Sequence, residues 1–202
     1  MKPEEYFHSL FKSISDPSRI KDGRERQIIS LVQYAEPMSI LLHEGTIALY
    51  RGQDHLLLSN AKAPFIIGLN LLFPDNGDVY IQARDAIRYE IIPRNAVEEI
   101  IRKENLWEQL AYIFMYNTKN FIKHNFATTG VSTYDLIRNN LLALMNESDE
   151  LRSKTNACDY IHERTLLSRS GIMKILSDLR KGGHIDISRG VLLSINTLPA
   201  KY

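Results

Sequence analysis

The sequence predicts an α+β protein in which a small β-roll is followed by a long helix, then by two short helices and a hairpin. Three observations predict it. Residues 26–93 read as short apolar runs broken by turn chemistry, with no segment long and periodic enough for a helix. Residues 94–145 switch to helical periodicity. The last fifty residues hold two helix starts, a Gly-Gly stop and two apolar strands around a Ser-Arg-Gly turn. A chain of 202 residues, 44% of them hydrophobic, is long enough to bury a proper core.

Within the β region the candidate strands are 27–32, 39–42, 46–51, 55–59, 64–67, 79–83 and 86–92. Between them stand Glu44-Gly45, Gly52-Gln53-Asp54, Pro74-Asp75-Asn76-Gly77 and Arg84-Asp85. Closely spaced strands of this kind suggest a roll or barrel. After Pro93 a short helix is predicted over 94–103. A longer one over 106–126 carries Leu106, Leu110, Ile113, Phe114, Asn117 and Phe121 along one stripe. That stripe needs a cover, either its own β-domain or the same helix of a second copy, which would make the protein a homodimer. Ala127-Thr128-Thr129-Gly130 breaks the period as a hinge. A helix over 133–145 follows, with Ser132 as N-cap and Tyr134, Ile137, Leu141 and Leu144 facing inward.

The C-terminal segment carries the most information. Asn156 can cap a helix holding Ala157, Tyr160 and Ile161, a tight turn covers 165–167, and Ser168 can cap a second helix running to Lys181. This is the pattern of a helix-turn-helix. Gly182-Gly183 ends it, and strands over 185–187 and 191–195 about Ser188-Arg189-Gly190 make a wing. In the second helix Ile172, Ile175, Leu176 and Leu179 fall on a core face. Arg169, Ser170, Met173, Lys174 and Ser177 fall on the other, with no acid until Asp178. A helix that enters the major groove by its N-terminal end presents such a face, and Arg169 is the candidate for direct base readout. Arg180, Lys181 and Arg189 are placed for phosphates, which position without specifying. With the capping Ser168, these residues form the candidate contact with double-stranded DNA; the alternative for each basic residue is an ordinary solvated charge.

Charge agrees with that division. The net charge of +1 hides nine Lys or Arg against four Asp or Glu over 152–202, and the opposite balance before it. MKPEEYFHSLF at the N-terminus has no basic-then-apolar leader, and no apolar run is of bilayer length, so a cytoplasmic protein without membrane contact is expected. Cys158 is the single cysteine, which excludes an intramolecular disulfide and any multi-thiolate zinc or iron-sulfur site of one chain. Asp159 beside it would raise its pKa, so Cys158 is expected to be a small buried residue rather than a redox sensor. His8, His43, His55, His124, His162 and His184 are scattered without metal-ligand spacing. No catalytic signature is present, Glu98-Glu99 fits a solvated helix face, and Trp107 fits a packing anchor at a helix start. No enzyme activity, metal or cofactor is predicted.

β-roll, long helix, hinge and winged helix, in this order and with LSRSGIMKILSDLRKGGHI ahead of the wing, resemble the catabolite activator and fumarate-nitrate regulator (Crp/Fnr) superfamily. Arg169 and Lys174 occupy the places of that family's basic recognition residues, while Ser170 stands where the family often has glutamate. YIHERTLLSRS, SDLRKGGHI, LLSINTLPAKY, APFIIGL and STYDLIRNNL are similar to the enterobacterial IprA (YaiV) group of winged-helix regulators. The resemblance implies a cyclic-nucleotide-binding-like β-roll domain with flanking helices over 1–104, a long dimerisation helix and hinge over 105–131, and a winged helix-turn-helix DNA-binding domain over 132–202. It also implies transcriptional control, RNA polymerase as a further partner, and oxidative-stress resistance as the theme. Cyclic-nucleotide binders of the superfamily have a Gly-Glu pair for the ribose and an Arg-Ser or Arg-Thr pair for the phosphate. Here Leu69 follows Gly68, and Gly77-Asp78 falls at the arginine's place, where Asp78 would repel a phosphate. Binding of cyclic nucleotide in the usual mode is therefore not expected, although Arg84 could still reach a phosphate. The competing function is an effector-binding or protein-interaction module that uses the apolar region from Phe65 to Phe73 and a winged helix that no longer reads DNA.

Overall fold

The computed structural model describes residues 2–31, 33–69 and 79–201, in two compact units, Met1–Phe121 and Ile122–Tyr202. The turn Pro74-Asp75-Asn76-Gly77, together with Phe73 and Asp78, lies outside the described residues.

The first unit opens with a helix the sequence analysis leaves unassigned. α1 (Glu4–Ile14) buries Phe7, Leu10, Phe11 and Ile14 on one face, and has Glu4 and Glu5 in its first turn and Lys12 in its last, matching the helix dipole. A 3-10 turn, Pro17–Arg19, follows, capped by Asp16. The strands are β1 (Lys21–Gly23), β2 (Ile28–Ser30), β3 (Met38–Glu44), β4 (Thr46–Arg51), β5 (Leu57–Lys62), β6 (Phe65–Ile67), β7 (Val79–Ala83) and β8 (Ile87–Pro93). β4 and β7 coincide with the predicted runs. β5 starts two residues later than expected because His55 takes a left-handed conformation (φ 59°) and belongs to the turn, its N–H donating to the Arg51 carbonyl at 2.9 Å.

Two antiparallel four-stranded sheets, ordered β1-β8-β3-β6 and β2-β7-β4-β5, form the roll. Inward-facing Ile29, Ile40, Leu42, Ile47, Ile81, Ile87 and Tyr89 fill one core. β3 is buried on both faces. Its Leu41, with Ile92 of β8, points the other way, into a second core made with α1, α2 (Arg94–Lys103) and the beginning of α3 (Trp107–Thr128). Gly45 joins β3 to β4 at φ +85°, where an added Cβ would stand 2.3 Å from the Ala86 carbonyl oxygen; glycine is needed there for shape as well as conformation.

The second unit contains α4 (Thr133–Met145), capped by Ser132 as expected, and α5 (Asp149–Lys154), which the sequence analysis passes over. After them come α6 (Ala157–Thr165), α7 (Arg169–Lys181) and the hairpin β9 (Ile185–Ser188) and β10 (Val191–Ile195). α3 runs through Ala127 and Thr128, so the break falls at Thr129-Gly130, with Gly130 at φ 72°. Tyr134, Ile137, Leu141 and Leu144 of α4 meet Tyr160 and Ile161 of α6, the core face of α7, and Ile185 and Leu192 of the hairpin in one apolar cluster.

Candidate nucleic-acid interface

α7 is fixed on one side and open on the other. Ile172, Ile175, Leu176 and Leu179 are all buried, which holds the helix to α4 and α6 over nearly its whole length. Asn156 caps α6 by accepting from the N–H groups of Cys158 (2.9 Å) and Asp159 (3.3 Å). Three residues separate the two helices, and Leu166 turns the chain in the left-handed region at φ 57°. Ser168 caps α7, its hydroxyl accepting from the Gly171 N–H at 3.1 Å. That hydroxyl also lies 3.3 Å from the one on Ser170, so Ser168 is first a structural cap and only then a candidate contact.

At about 100° per residue, Arg169, Met173, Ser177, Arg180, Ser170, Lys174 and Lys181 occupy a single arc of roughly 140° opposite the core face. Arg169, Ser170, Met173, Lys174, Arg180 and Lys181 are exposed and Ser177 is half-buried. The arrangement therefore collects the sequence-predicted DNA residues on one surface. Among the described residues no carboxylate forms an ion pair with Lys174, Arg180, Lys181 or Arg189, whereas Arg169 is held by Asp159 of α6. Sequence reasoning noted Asp159 only as a neighbour of Cys158; the signal for this second role is an acid in the first turn of one helix, ten residues before an arginine that opens the next.

The wing is tied back to the same surface. Arg189 (φ 49°) and Gly190 (φ 86°) are the two central residues of the hairpin turn, both left-handed as a type I′ turn requires. The Gly190 carbonyl accepts from the Ala157 N–H at 2.8 Å, and Asn156 bridges to Val191. Between α7 and the wing lies a cleft of about 380 Å³, bordered by Arg180 and Arg189 with Ser177 and Met173, and floored by Leu176, Ile187 and Cys158. Cys158 is 6% exposed, and its thiol lies 3.9 Å from the Arg169 carbonyl oxygen. Burial pushes its pKa up, and Asp159 adds to that against the pull of Arg169.

The stripe on α3 is divided by the structure. Leu106, Leu110 and Ile113 are buried in the core of their own unit, so they are not free to meet a partner. Phe114 and Phe121 remain exposed, with half-buried Asn117 on the border between the two faces. Trp107, expected as a packing anchor, is 45% exposed and lies seven residues before Phe114, as Phe114 lies seven before Phe121. Met115 and Ile122, also exposed, repeat the spacing beside them. This second apolar seam is a heptad pattern adjoining the buried one.

Elsewhere, Leu69 is buried in the core beside α1, and Arg84 donates to the Tyr50 hydroxyl at 2.7 Å and lies over its ring. Gly77-Asp78 falls outside the described residues, as does the side chain of His124. The rings of His8, His43, His55, His162 and His184 each make a hydrogen bond within the protein. Among the described residues, no three histidine, cysteine or acidic side chains gather as a metal-binding group, and no helix is long and apolar enough to cross a membrane.

Comparison with known proteins agrees with these features. The family model described as winged helix-turn-helix DNA binding matches residues 133–200. The inhibitor of hydrogen peroxide resistance of Escherichia coli K12 is 30% identical over 205 residues, covering 100% of this chain and 98% of its own, and that of Salmonella typhimurium is 30% identical over 204. The c-di-GMP-responsive global regulator CLP of Xanthomonas campestris has the same fold, with a TM-score of 0.72 at 14% identity over 95% of this chain and 99% of that one. A Crp/Fnr-family putative transcriptional regulator of Eubacterium rectale superposes with a TM-score of 0.67 at 14% identity, over 94% of this chain and 90% of that one.

Proposed function

This chain belongs to the family of the inhibitor of hydrogen peroxide resistance, and on that premise we propose that it is a sequence-specific DNA-binding transcription regulator acting on peroxide resistance in the cytoplasm. The observation that carries the proposal is the outward face of α7. Apart from Met173 it is polar and basic from Arg169 to Lys181, and it is backed by four buried aliphatic side chains. α7 enters the major groove by its N-terminal end, with Arg169 and Lys174 at base edges. Arg180, Lys181 and Arg189 sit on phosphates. Two copies pair along the exposed seam of Trp107, Phe114 and Phe121, presenting two recognition helices to a two-half-site operator, and RNA polymerase is the partner through which binding acts on transcription. Cyclic nucleotide is not taken in the usual mode, because Leu69 stands buried and apolar where the ribose would need a carboxylate.

Selection and sequencing of genomic DNA fragments bound by the purified protein at near-physiological salt tests this. An enriched, roughly palindromic motif is expected, with affinity falling steeply as salt rises. Arg169→Ala should weaken binding to the selected site by about 5- to 150-fold while leaving unrelated DNA little changed. An equal loss on every sequence would make Arg169 a phosphate contact. Bulk, salt-sensitive binding with no motif would favour the protein-interaction module instead.

A further inference from the structure

The outward face of α7 has no acid of its own before Asp178, yet the group that meets Arg169 is a carboxylate delivered by another helix. Asp159 is the third residue of α6, and its Oδ1 accepts from Nη1 of Arg169. The two side chains are 56% and 61% exposed. An ion pair this open to water adds little stability, because solvent screens it and two side chains lose freedom to make it. A negative charge at this place also opposes the approach of phosphates, so general affinity for DNA does not account for it. What it does supply is direction. A guanidinium has five N–H donors in a planar fork, and the contact with Asp159 uses Nη1, leaving the edge formed by Nε and Nη2. That edge carries two parallel donors, the geometry that meets N7 and O6 of guanine. Arginine on an exposed helix is otherwise free over many rotamers; with Nη1 held by Asp159 fewer remain, and those leave the Nε–Nη2 edge open. Lys174, one turn later, has no such clamp among the described residues.

Resting on the DNA-reading function above, we propose that Asp159 is a positioning residue. It holds the Arg169 guanidinium with its free edge outward and thereby fixes guanine at one base pair of each half-site. Asp159 touches no base itself. The discrimination lies in Arg169, and the orientation that makes it sharp lies in α6.

The test is selection and sequencing with the full chain as wild type, Asp159→Asn, Arg169→Ala and the double variant, followed by binding to the best site and to that site with the guanine replaced. Thermal unfolding of each variant checks that the exposed substitutions leave the fold intact. Wild type should show one guanine per half-site whose preference disappears in Arg169→Ala. Asp159→Asn should reduce that preference about two- to fivefold, leave the other positions and the salt dependence as they are, and bind unrelated DNA equally or more tightly. In the Arg169→Ala background it should change no preference at all. An intact guanine preference in Asp159→Asn overturns the inference alone. So does a uniform tightening on every sequence without loss of preference, which would make Asp159 a latch rather than a guide. If the wild-type protein selects no motif, specific DNA reading fails and this inference fails with it.

Discussion

Glu90 in the first unit and Asp159 in the second each hold an arginine, Arg19 and Arg169, but the Glu90 side chain is fully buried while that of Asp159 is more than half exposed. Glu90 accepts from the Ser15 hydroxyl, the Asp16 N–H at 3.1 Å, Nε of Arg19 at 3.2 Å and the ring of His43 at 2.7 Å. These donors come from the end of α1, the turn after it and β3, so one carboxylate ties three segments to β8. Burial pushes the Glu90 pKa up, and the hydrogen bonds pull harder the other way, leaving it below the ordinary carboxylate value. Asp159 makes its contact in water and joins two helices, α6 and α7, that packing has already fixed. The difference teaches how to tell an acid that holds the fold from one that does not: count the donors and ask whether water can replace them.

The largest effect expected from breaking this contrast lies at Glu90. Glu90→Ala should lower the unfolding free energy by about 2–4 kcal/mol, because it strands several donors that the carboxylate had satisfied. Urea denaturation of the full chain measures it. Asp159→Ala should leave the midpoint where it is, and comparable losses in the two variants would erase the distinction.

A pH series sharpens the same point. A carboxylate whose folded pKa is depressed contributes stability that is complete above the unfolded value, about 4.3 for glutamate, and lost as pH falls through the folded value. The wild-type protein should therefore lose stability as pH falls below about 4.3, and Glu90→Gln should lack that increment. A wild-type acid limb that survives intact in Glu90→Gln would assign acid sensitivity to other groups.

The same contrast explains which parts of the molecule the sequence could disclose. α7, β10, α2 and α4 were readable to the residue, because caps at Ser132 and Ser168, the proline before Arg94 and the type I′ turn at Arg189-Gly190 are local signals. So was the outward face of α7, since helical spacing alone separates Lys174 from Ile175. α1 is also written locally, in the spacing of Phe7, Leu10, Phe11 and Ile14, but Pro3 before it supplies no side-chain cap to mark its start. The Glu90 cluster was not legible: its donors lie 47 to 75 residues away, and only the pairing of β8 with β3 and the seat of α1 bring them together. The stripe on α3 failed for a related reason. Periodicity marks apolar faces without saying what covers them, so Ile113, fully buried, and Phe121, 69% exposed, looked alike.

The smallest effect belongs to the wing, and it separates positioning by charge from positioning by contact. Arg189 sits at φ 49°, a conformation that asparagine tolerates, so Arg189→Asn removes the charge and keeps the turn. Gly190 would be the wrong place to probe, because a Cβ there would stand 2.3 Å from Nδ2 of Asn156 and displace the cap of α6. If Arg189 rests on a phosphate, Arg189→Asn should reduce the slope of log affinity against log salt by about one and weaken binding by a similar small factor on every sequence. Binding titrations at several salt concentrations on the selected site and on unrelated DNA read both quantities. A change confined to the selected site would place the wing on a base edge, and the division of labour between a guided arginine on α7 and an unguided one on the wing would have to be redrawn.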